Sequence, residues 1–369
     1  MAQQKLPVVL IPSLEPDDRL PAYVTELMAN GFERIVVVND GSSADYQPVF
    51  DRIAALGATV LGYEVNHGKG YALKHGCQWI LEHEPDCTGV LTADADGQHT
   101  VPDCLRLAEA LASDSAALWL GSRDFNLPSI PPKSRFGNKC TSAVFKLLYG
   151  VWLPDTQTGL RAFRREELPF MIGVPGDRYE YEMNVLIASA RRKLPIRTMT
   201  IETIYEDNNA GTHFHPIRDS WRIYKVILGS FLKFMGSSIV CFLVDYGLFN
   251  LFFYWLFPTV FGISLSARLP LSLGTFDNRS LSNYTARLFS STLNFVLNRN
   301  LVFRAKGAKG AWWRYVVTVV VVIILSTLGI KGLAALGVPE WLAKLLCDTM
   351  LYFLSYRVQQ RWVFAEKEG

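Results

Sequence analysis

Charged residues are spread unevenly along this chain of 369 residues. Residues 1–215 carry acids and bases throughout, whereas residues 230–365 hold several apolar runs long enough to cross a bilayer, which takes about 20 residues. The chain therefore reads as a water-soluble part joined to a membrane part. Four spans can be placed, at about 232–256, 282–300, 313–336 and 340–360. The second and fourth are short and polar at their ends, and Ser290, Ser291 and Asn294 suit contacts between helices. The 299–314 connection carries Arg299, Arg304, Lys306, Lys309 and Arg314 and no acid, which marks it as cytoplasmic. The 257–281 connection has only Arg268 and Arg279, with Asp277. Four spans then place both termini on the cytoplasmic side.

The soluble part alternates short apolar runs with helical stretches. Strands are predicted at Pro7–Pro12, Arg34–Val38, Thr59–Val65, at the run Gly89-Val90-Leu91, and at Ala116–Leu120. Helices are predicted up to Asn30, around Tyr46–Leu56, after Asn66-His67-Gly68-Lys69-Gly70 to about His83, and at 102–112. Wholly apolar strands that alternate with helices imply a parallel sheet covered on both faces. Ligands in such sheets sit beyond the carboxyl ends of the strands. Glu15, Asp40, His67-Gly68-Lys69, Asp94 and Asp96 all fall there.

Thr92-Ala93-Asp94-Ala95-Asp96-Gly97-Gln98-His99 follows the fourth apolar run. If the chain stays extended, residues two apart point the same way. Asp94, Asp96 and Gln98 would then present a row of oxygens suited to a hard divalent cation that holds phosphates. Two solvated aspartates at a strand end are the plain alternative. An EF-hand is excluded, because its glycine stands at loop position six and its glutamate at twelve; here the twelfth residue is Leu105. Gly68-Lys69 is not a Walker A loop, since Tyr63 stands where the first glycine belongs and Gly70 where Ser or Thr belongs. No Gly-x-Gly-x-x-Gly follows the first strand. A net charge of +3 gives no argument for nucleic acid, and the six cysteines show neither metal nor redox spacing. Met1–Lys5 does not read as the start of a signal peptide.

On the residues Ile11-Pro12-Ser13-x-Glu15, Val38-Asn39-Asp40-Gly41-Ser42, Asn66-x-Gly68-Lys69-Gly70 and Asp94-Ala95-Asp96-Gly97-Gln98, residues 7 to about 205 resemble glycosyltransferase family 2, with its GT-A fold. Gly121-Ser122-Arg123, Ser134-Arg135-x-x-Asn138 and Asp155-x-Gln157-Thr158-Gly159-Leu160-Arg161-Ala162-Phe163 bring the likeness closest to the polyprenyl-phosphate sugar synthases of the dolichyl-phosphate mannose synthase group. The resemblance implies that Pro12, Glu15 and Asp40 contact the base and ribose of a nucleotide sugar. It places Lys69 and Asp94 near the ribose and diphosphate, and Asp94, Asp96 and Gln98 around Mg²⁺ or Mn²⁺. It gives Arg123 and Arg135 the acceptor phosphate, and Gln157, Thr158 and Gly159 the sugar pocket. Asp96, Arg123 and Arg135 are thereby the expected catalytic set. Ser13-Leu14-Glu15-Pro16 departs from the more usual Thr-Tyr-Asn-Glu, which leaves open whether Glu15 or Asp17 faces the nucleotide.

The chemistry agrees. A departing nucleoside diphosphate gathers negative charge that a metal neutralises as a Lewis acid. A sugar hydroxyl acceptor needs a carboxylate base. A lipid phosphate has a second pKa of about 6, by analogy with phosphoserine, and needs none. It needs cations to place it, and guanidinium forks do this well.

Other segments carry weaker signals. Arg178-Tyr179-Glu180-Tyr181-Glu182 opens a helix that reaches about Arg192, and its acids suit either the helix dipole or a place near the acceptor sugar. His213-Phe214-His215 has no third metal ligand nearby. It reads as a linker at the membrane surface, followed by an interfacial amphipathic helix with Arg218, Trp221, Arg222, Tyr224 and Lys225. Asn283-Tyr284-Thr285, at the edge of a span, is a chance sequon.

In the membrane part, Asn294-Phe295-x-x-Asn298-Arg299-x-x-Val302-Phe303 can be laid over Ser355-Tyr356-x-x-Gln359-Gln360-x-x-Val363-Phe364, a hint of a duplicated two-helix unit. The first of these motifs and the closing Arg361-Trp362-Val363-Phe364 resemble the GtrA-like four-span family over roughly 231–366. Gln360-Arg361-Trp362 is not the Gln-x-x-Arg-Trp of processive synthases, because Val358 stands where the glutamine belongs. Asp245, inside the first span, is either functional or a polar contact with Asn294 or Arg299.

The expected architecture is an α/β GT-A (Rossmann-like) domain at 1–210, an interfacial linker at 211–231 and an all-α domain of four transmembrane helices at 232–366. The resemblance implies inverting, metal-dependent transfer of one sugar from a nucleotide-sugar donor to polyprenyl (undecaprenyl) phosphate. The enzyme would be multi-pass in the inner (plasma) membrane, with both termini cytoplasmic. Two other readings stay open: a lipid-linked-sugar flippase with its own synthase, and a transferase to a glycan hydroxyl. The oligomeric state is open too, a homo-oligomer included.

Overall fold

The computed structural model describes residues 6–113, 118–128, 130–202, 216–260, 268–271, 274–303, 305 and 307–365. The chain divides into two compact units, Met1–Ile227 and Leu228–Gly369.

The first unit alternates as its apolar runs require. It runs β1 (Val8–Ser13), α1 (Arg19–Ala29), β2 (Ile35–Asp40), α2 (Gln47–Ala55), β3 (Thr59–Tyr63), α3 (Lys69–His83), β4 (Gly89–Thr92), α4 (Val101–Ser113) and β5 (Leu118–Arg123). Next come α5 (Pro132–Tyr149), β6 (Arg161–Arg164), α6 (Leu168–Gly173), α7 (Glu180–Arg192) and β7 (Ile196–Ile201). The sheet order is β3-β2-β1-β4-β6-β5-β7. The expected parallel sheet needs one correction: β6 runs antiparallel to both β4 and β5. Only four residues long and bounded by Arg161 and Arg164, β6 lacks the apolar run that marks a buried strand.

Side chains alternate across the sheet. Val9, Ile11, Val37 and Leu91 join the core cluster that also holds Leu20, Leu27, Phe50 and Leu107 of the helices on that face. Leu10 and Val38 point the other way, toward α3. A Cβ on Gly76 would lie 2.3 Å from Leu10 Cδ1, so that glycine lets α3 settle directly on the sheet. β1 and β4 run parallel, and the strand order reverses between them; ligands bind at the carboxyl ends of strands beside such a switch point.

The last helix of the first unit, α8 (Pro216–Asn250), runs on into the second. Within the first unit its opening turns are held by α5: Tyr149 OH donates to the Ile227 carbonyl at 2.7 Å, and the hydroxyls of Thr141 and Tyr224 lie 3.2 Å apart. The amphipathic segment and the first expected span are thus one unbroken helix from Pro216 onward. His213 and His215 lie outside the described residues.

The second unit continues α8 through a π-helical stretch, Leu251–Leu256, into α9 (Phe257–Val260). The 257–281 connection, expected as plain loop, also contains a hairpin of β8 (Arg268–Leu271) and β9 (Gly274–Asp277). Then follow α10 (Asn278–Leu297), α11 (Ala311–Ala335) and α12 (Glu340–Val358). Among the described residues, Tyr224–Val260 and Ala311–Ala335 are long and apolar enough to cross a membrane by themselves. Asp245 makes a polar contact with α10: it accepts a hydrogen bond from Ser290 Oγ at 2.8 Å and lies 3.6 Å from Arg287 Nε.

The duplicated motif is visible in three dimensions. Both copies end in one π-helical turn, Asn298–Val302 and Gln359–Val363. Each turn closes with the same 2.9 Å main-chain bond, from Phe303 to Asn298 and from Phe364 to Gln359. The aromatic contacts between copies are reciprocal. Phe303 meets Tyr356 at 5.7 Å and 36°, and Phe364 meets Phe295 at 5.7 Å and 34°. Phe231 meets Tyr356 at 5.4 Å and 89°, and Trp312 meets Phe295 at 5.1 Å and 85°. Phe234 and Tyr315 repeat the pattern, at 62° and 58°. Reciprocal contact between equivalent residues is the signature of a two-fold interface.

Candidate active site

Three loops at the carboxyl ends of β1, β2 and β4 meet the start of α3. Asp40 closes β2 and is buried, and its carboxylate is filled by its neighbours. It accepts from Tyr63 OH (2.7 Å), Asn66 Nδ2 (3.2 Å) and the main-chain N–H groups of His67 and Gly68 (both 3.0 Å). Asp40 therefore shapes the 66–68 turn that delivers Lys69. Gly41, at φ +72°, sits so close to this turn that a Cβ would lie 2.3 Å from Asn66 N. Pro12 and Ser13 end β1 and are buried. Glu15 is exposed in a left-handed conformation (φ 51°), a strained state for a non-glycine residue. Its N–H donates to Ser42 Oγ at 2.8 Å, which ties the β1 and β2 loops together. Asp17 is committed to Arg19, whose hydrogen bond holds its carboxyl below the usual range. Of the two acids that the sequence left open, Glu15 is thus the one joined to the β2 loop.

The Asp94–Gln98 stretch departs from the extended geometry. The strand stops at Thr92, residues 95–96 turn, and Gly97 takes φ +73°. The row of alternating oxygens does not form. Asp94 instead turns to Lys69, with Nζ 2.6 Å from Oδ1, and to His99, with Nε2 3.3 Å from Oδ2. Burial pushes its carboxyl up, but Lys69 and His99 outweigh this and hold it well below the usual range. Asp96 Oδ1 accepts from the Gln98 N–H at 3.0 Å. Burial, and then the charge of Asp94, raise the Asp96 carboxyl.

Lys69 also reaches Glu182, on the first turn of α7, at 3.1 Å. Burial lowers the pKa of its ammonium, and the two carboxylates more than restore it. The sequence offers Glu182 the helix dipole or a place near the acceptor sugar, and does not show its contact with Lys69. The findable signal was the pair Gly68 and Gly70. A Cβ on Gly68 would lie 2.6 Å from Arg178 Cγ, and one on Gly70 2.4 Å from Tyr181 Cβ, so both glycines exist to admit the 178–182 segment.

The 155–159 loop meets the site from β6. A Cβ on Gly159 would lie 2.3 Å from Asp94 Oδ2, and Thr92 Oγ1 donates to the Gly159 carbonyl at 2.8 Å. Thr158 is buried. Gln157 donates its N–H to Asp155 Oδ1 at 2.9 Å. Asp155 is fully buried and grips Arg123 in a fork, Nε to Oδ2 at 2.7 Å and Nη2 to Oδ1 at 3.3 Å. Arg135, on α5, donates to the Leu127 carbonyl at 2.8 Å. Burial pushes the Cys77 and Cys104 thiols up to about 12, which removes them as nucleophiles at neutral pH.

Residues 8–173 match the glycosyl transferase family 2 domain, and residues 233–364 match the GtrA/DPMS transmembrane domain. The chain is a family 2 glycosyltransferase with a GtrA/DPMS transmembrane domain. The transferase is accordingly a membrane protein. It is 29% identical over 224 residues to an uncharacterised protein of Methanocaldococcus jannaschii, covering 60% of this chain and 90% of that one. It is 27% identical over 221 residues to the UDP-N-acetylglucosamine–dolichyl-phosphate N-acetylglucosaminyltransferase of Methanococcus voltae, covering 55% and 87%. It is 29% identical over 168 residues to the polyprenol monophosphomannose synthase of Mycolicibacterium smegmatis, covering 44% and 62%.

Proposed function

We propose that the transferase moves one sugar, with inversion, from a nucleotide sugar to a polyprenyl phosphate at the cytoplasmic face of the cell membrane. The observation that carries this is the commitment of the site's carboxylates. Asp40 is filled by N–H and O–H donors, Asp94 and Glu182 share Lys69, and Asp155 holds Arg123. A hydroxyl acceptor would need one of them as a base. An acceptor phosphate, already ionised, needs only placing.

Asp96 is the exception, and its surroundings fit a divalent cation. Its carboxyl is half-buried and feels the charge of Asp94, so bound positive charge would relieve the pair. Among the described residues no group of three or more His, Cys, Asp and Glu side chains could hold a metal. Mg²⁺ or Mn²⁺ takes one or two carboxylates and completes its shell with phosphate oxygens and water. Asp94, Asp96 and Gln98 would hold the ion, and when bound it would neutralise the leaving diphosphate.

The chain's own groups then have these roles. Pro12, Glu15 and the Asp40-shaped turn face base and ribose. Lys69 places its ammonium at the diphosphate. Gln157, Thr158 and Gly159 bound the sugar. Arg135 holds the acceptor phosphate, with Arg123 beside it, and one phosphate oxygen attacks the anomeric carbon as the diphosphate departs from the opposite side.

The domain limits follow the same reading: a catalytic domain to about 210, an interfacial segment, and four spans from about 232 to 366. The two halves of the membrane unit are reciprocal copies. Parallel copies related by an axis along the membrane normal cross in the same sense, which supports four crossings with both ends on one side. Arg299, Lys309 and Arg314 support the cytoplasm as that side.

The test is a donor screen. Purified protein is incubated with undecaprenyl phosphate, Mg²⁺ or Mn²⁺ and a panel of nucleotide sugars, and the lipid fraction is read by mass spectrometry. The expected product is the lipid monophosphate heavier by one glycosyl residue. Transfer only to sugar hydroxyls, with no lipid product, would sink the proposal.

A further inference from the structure

Among the described residues, Lys69 is the one cation in contact with the Asp94 carboxylate that stays charged at all working pH values, and Asp94 does not hold it alone. Exposure rises along the chain of contacts: the side chain of Glu182 is 11% exposed, Lys69 17% and Asp94 31%. Glu182 therefore anchors the ammonium from the inner side, and Asp94 meets it from the side of the opening. The anchor is rigidly built. Tyr71 N–H donates to the Asp177 carbonyl at 2.9 Å, and Lys74 Nζ lies 2.6 Å from Asp177 Oδ1. Arg161 Nη1 donates to the main-chain carbonyl of Glu182 at 2.9 Å. With Gly68 and Gly70 in contact with the same segment, α3 and α7 cannot slide without breaking several of these bonds.

Two carboxylates that share one ammonium make a divided contact. Asp94 gets part of the Lys69 charge, and the remainder stays with Glu182 whatever Asp94 does. We infer that Glu182 is a positioning residue: it keeps Lys69 in place at the diphosphate when Asp94 is drawn to the metal. The inference rests on the proposed nucleotide-sugar reading and adds a residue to it. Removing the Glu182 charge leaves Lys69 with a single carboxylate partner. The ammonium then pairs exclusively with Asp94 and competes with the metal for it. Glu182 is not a base in this arrangement, since its carboxylate is spent on Lys69.

The experiment is calorimetric titration of the full chain in detergent with UDP and with GDP, each with MnCl₂ and without it. Glu182→Gln keeps the side-chain volume and removes the charge. It is expected to weaken Mn²⁺-dependent binding of the diphosphate about tenfold, the size of one charge-assisted hydrogen bond. Glu182→Asp should recover part of that loss. Lys69→Gln should weaken binding too, and the double variant should be no worse than Lys69→Gln alone, because Glu182 acts through Lys69. Additive losses would overturn the inference, as would wild-type affinity in Glu182→Gln. So would a fall in melting temperature with affinity unchanged, which marks a purely structural residue. If the diphosphates bind as expected but no glycosyl lipid forms in the donor screen, the proposed acceptor fails and the role of Glu182 stands. Wild-type protein that binds neither diphosphate overturns both.

Discussion

Asn298 Nδ2 donates to Gln359 Oε1 across 3.0 Å, and these two residues, 61 apart, occupy the same position in two copies of one hairpin. The contact lies where the copies meet, beside the stacked rings of Phe303 and Phe364 at 5.1 Å. Asn298 is fully buried and also accepts from Ser237 Oγ at 2.7 Å, while its Nδ2 reaches Asn294 Oδ1 at 2.7 Å. A buried amide with both N–H groups and its oxygen hydrogen-bonded fixes one arrangement of the helices.

Exchange of the two side chains tests the two-fold relation. Asn298→Gln and Gln359→Asn should each lower the thermal stability of the detergent-solubilised protein, by roughly 0.5–2 kcal/mol on the scale of interhelical hydrogen bonds. The double exchange restores one long and one short amide on the axis and should lie closer to wild type than the sum of the single losses. Simple additivity would show that the contact is not interchangeable across the axis.

Arg123 and Arg135 should separate cleanly, although the sequence presents them as equals. Arg123 is forked onto the fully buried Asp155. Arg123→Ala strands that carboxylate and should cost about 3–5 kcal/mol, the usual penalty for breaking a buried pair, less whatever solvent reaches the partly exposed guanidinium. Arg135→Ala should keep wild-type melting and wild-type binding of nucleoside diphosphate, yet lose transfer to lipid phosphate. Wild-type turnover by Arg135→Ala in the lipid assay would remove the residue from the acceptor site.

Asp96 carries a charge that the fold disfavours and the proposed reaction needs. Its folded pKa is raised, first by burial and then by Asp94. A raised carboxylate costs stability above its folded pKa, and the cost fades as pH falls toward the unfolded value of about 3.9. Asp96→Asn should therefore melt a few degrees higher than wild type at pH 7 without added metal, and the gap should narrow toward pH 4. Mn²⁺ should stabilise the wild type and leave the variant unmoved. Scanning calorimetry at the two pH values, with and without MnCl₂, reads both effects; a variant that melts below wild type at pH 7 would contradict the repulsion.

How much of this was legible depends on whether the determining contact is local. Val8–Ser13, Ile35–Asp40 and Gly89–Thr92 are runs of apolar residues that no other element can use, so strand, sheet and ligand edge all follow from them. The hairpin copies are visible at Asn298 and Gln359 because both ends kept their spacing and aromatic residues. Their first helices are not, since Phe231 is matched by Trp312 and Phe234 by Tyr315, which share only an aromatic ring. The turn at Gly97 is not legible, because the alternating acids of Thr92–His99 suit an extended stretch equally well. Glu182 was the hardest to read. An acid on a first helical turn is sufficiently explained by the dipole, and its partner Lys69 is more than a hundred residues away. The arginine fork to Asp155 was likewise invisible, because two charged residues in separate motifs do not announce that they pair.

Gly159 offers the sharpest test of the site's geometry. The glycine has no positive φ to justify it, so a side chain is excluded there by space alone. What fills the space is the Asp94 carboxyl, with both oxygens and Cγ within 2.6 Å of an ideal Cβ. Gly159→Ala must therefore push Asp94 away, since the main chain at Gly159 is pinned by Thr92 Oγ1. The Lys69–Asp94 contact would open and the two metal-side carboxylates would lose their spacing. A displacement of about 1 Å in a reacting group can cost a hundredfold in rate. Gly159→Ala is expected to lose activity on that scale while far-ultraviolet circular dichroism and melting temperature stay near wild type. Mn²⁺-dependent binding of UDP or GDP should weaken in parallel. An alanine variant with full activity would mean that Asp94 has room to move and is not held in the position on which the proposed chemistry depends.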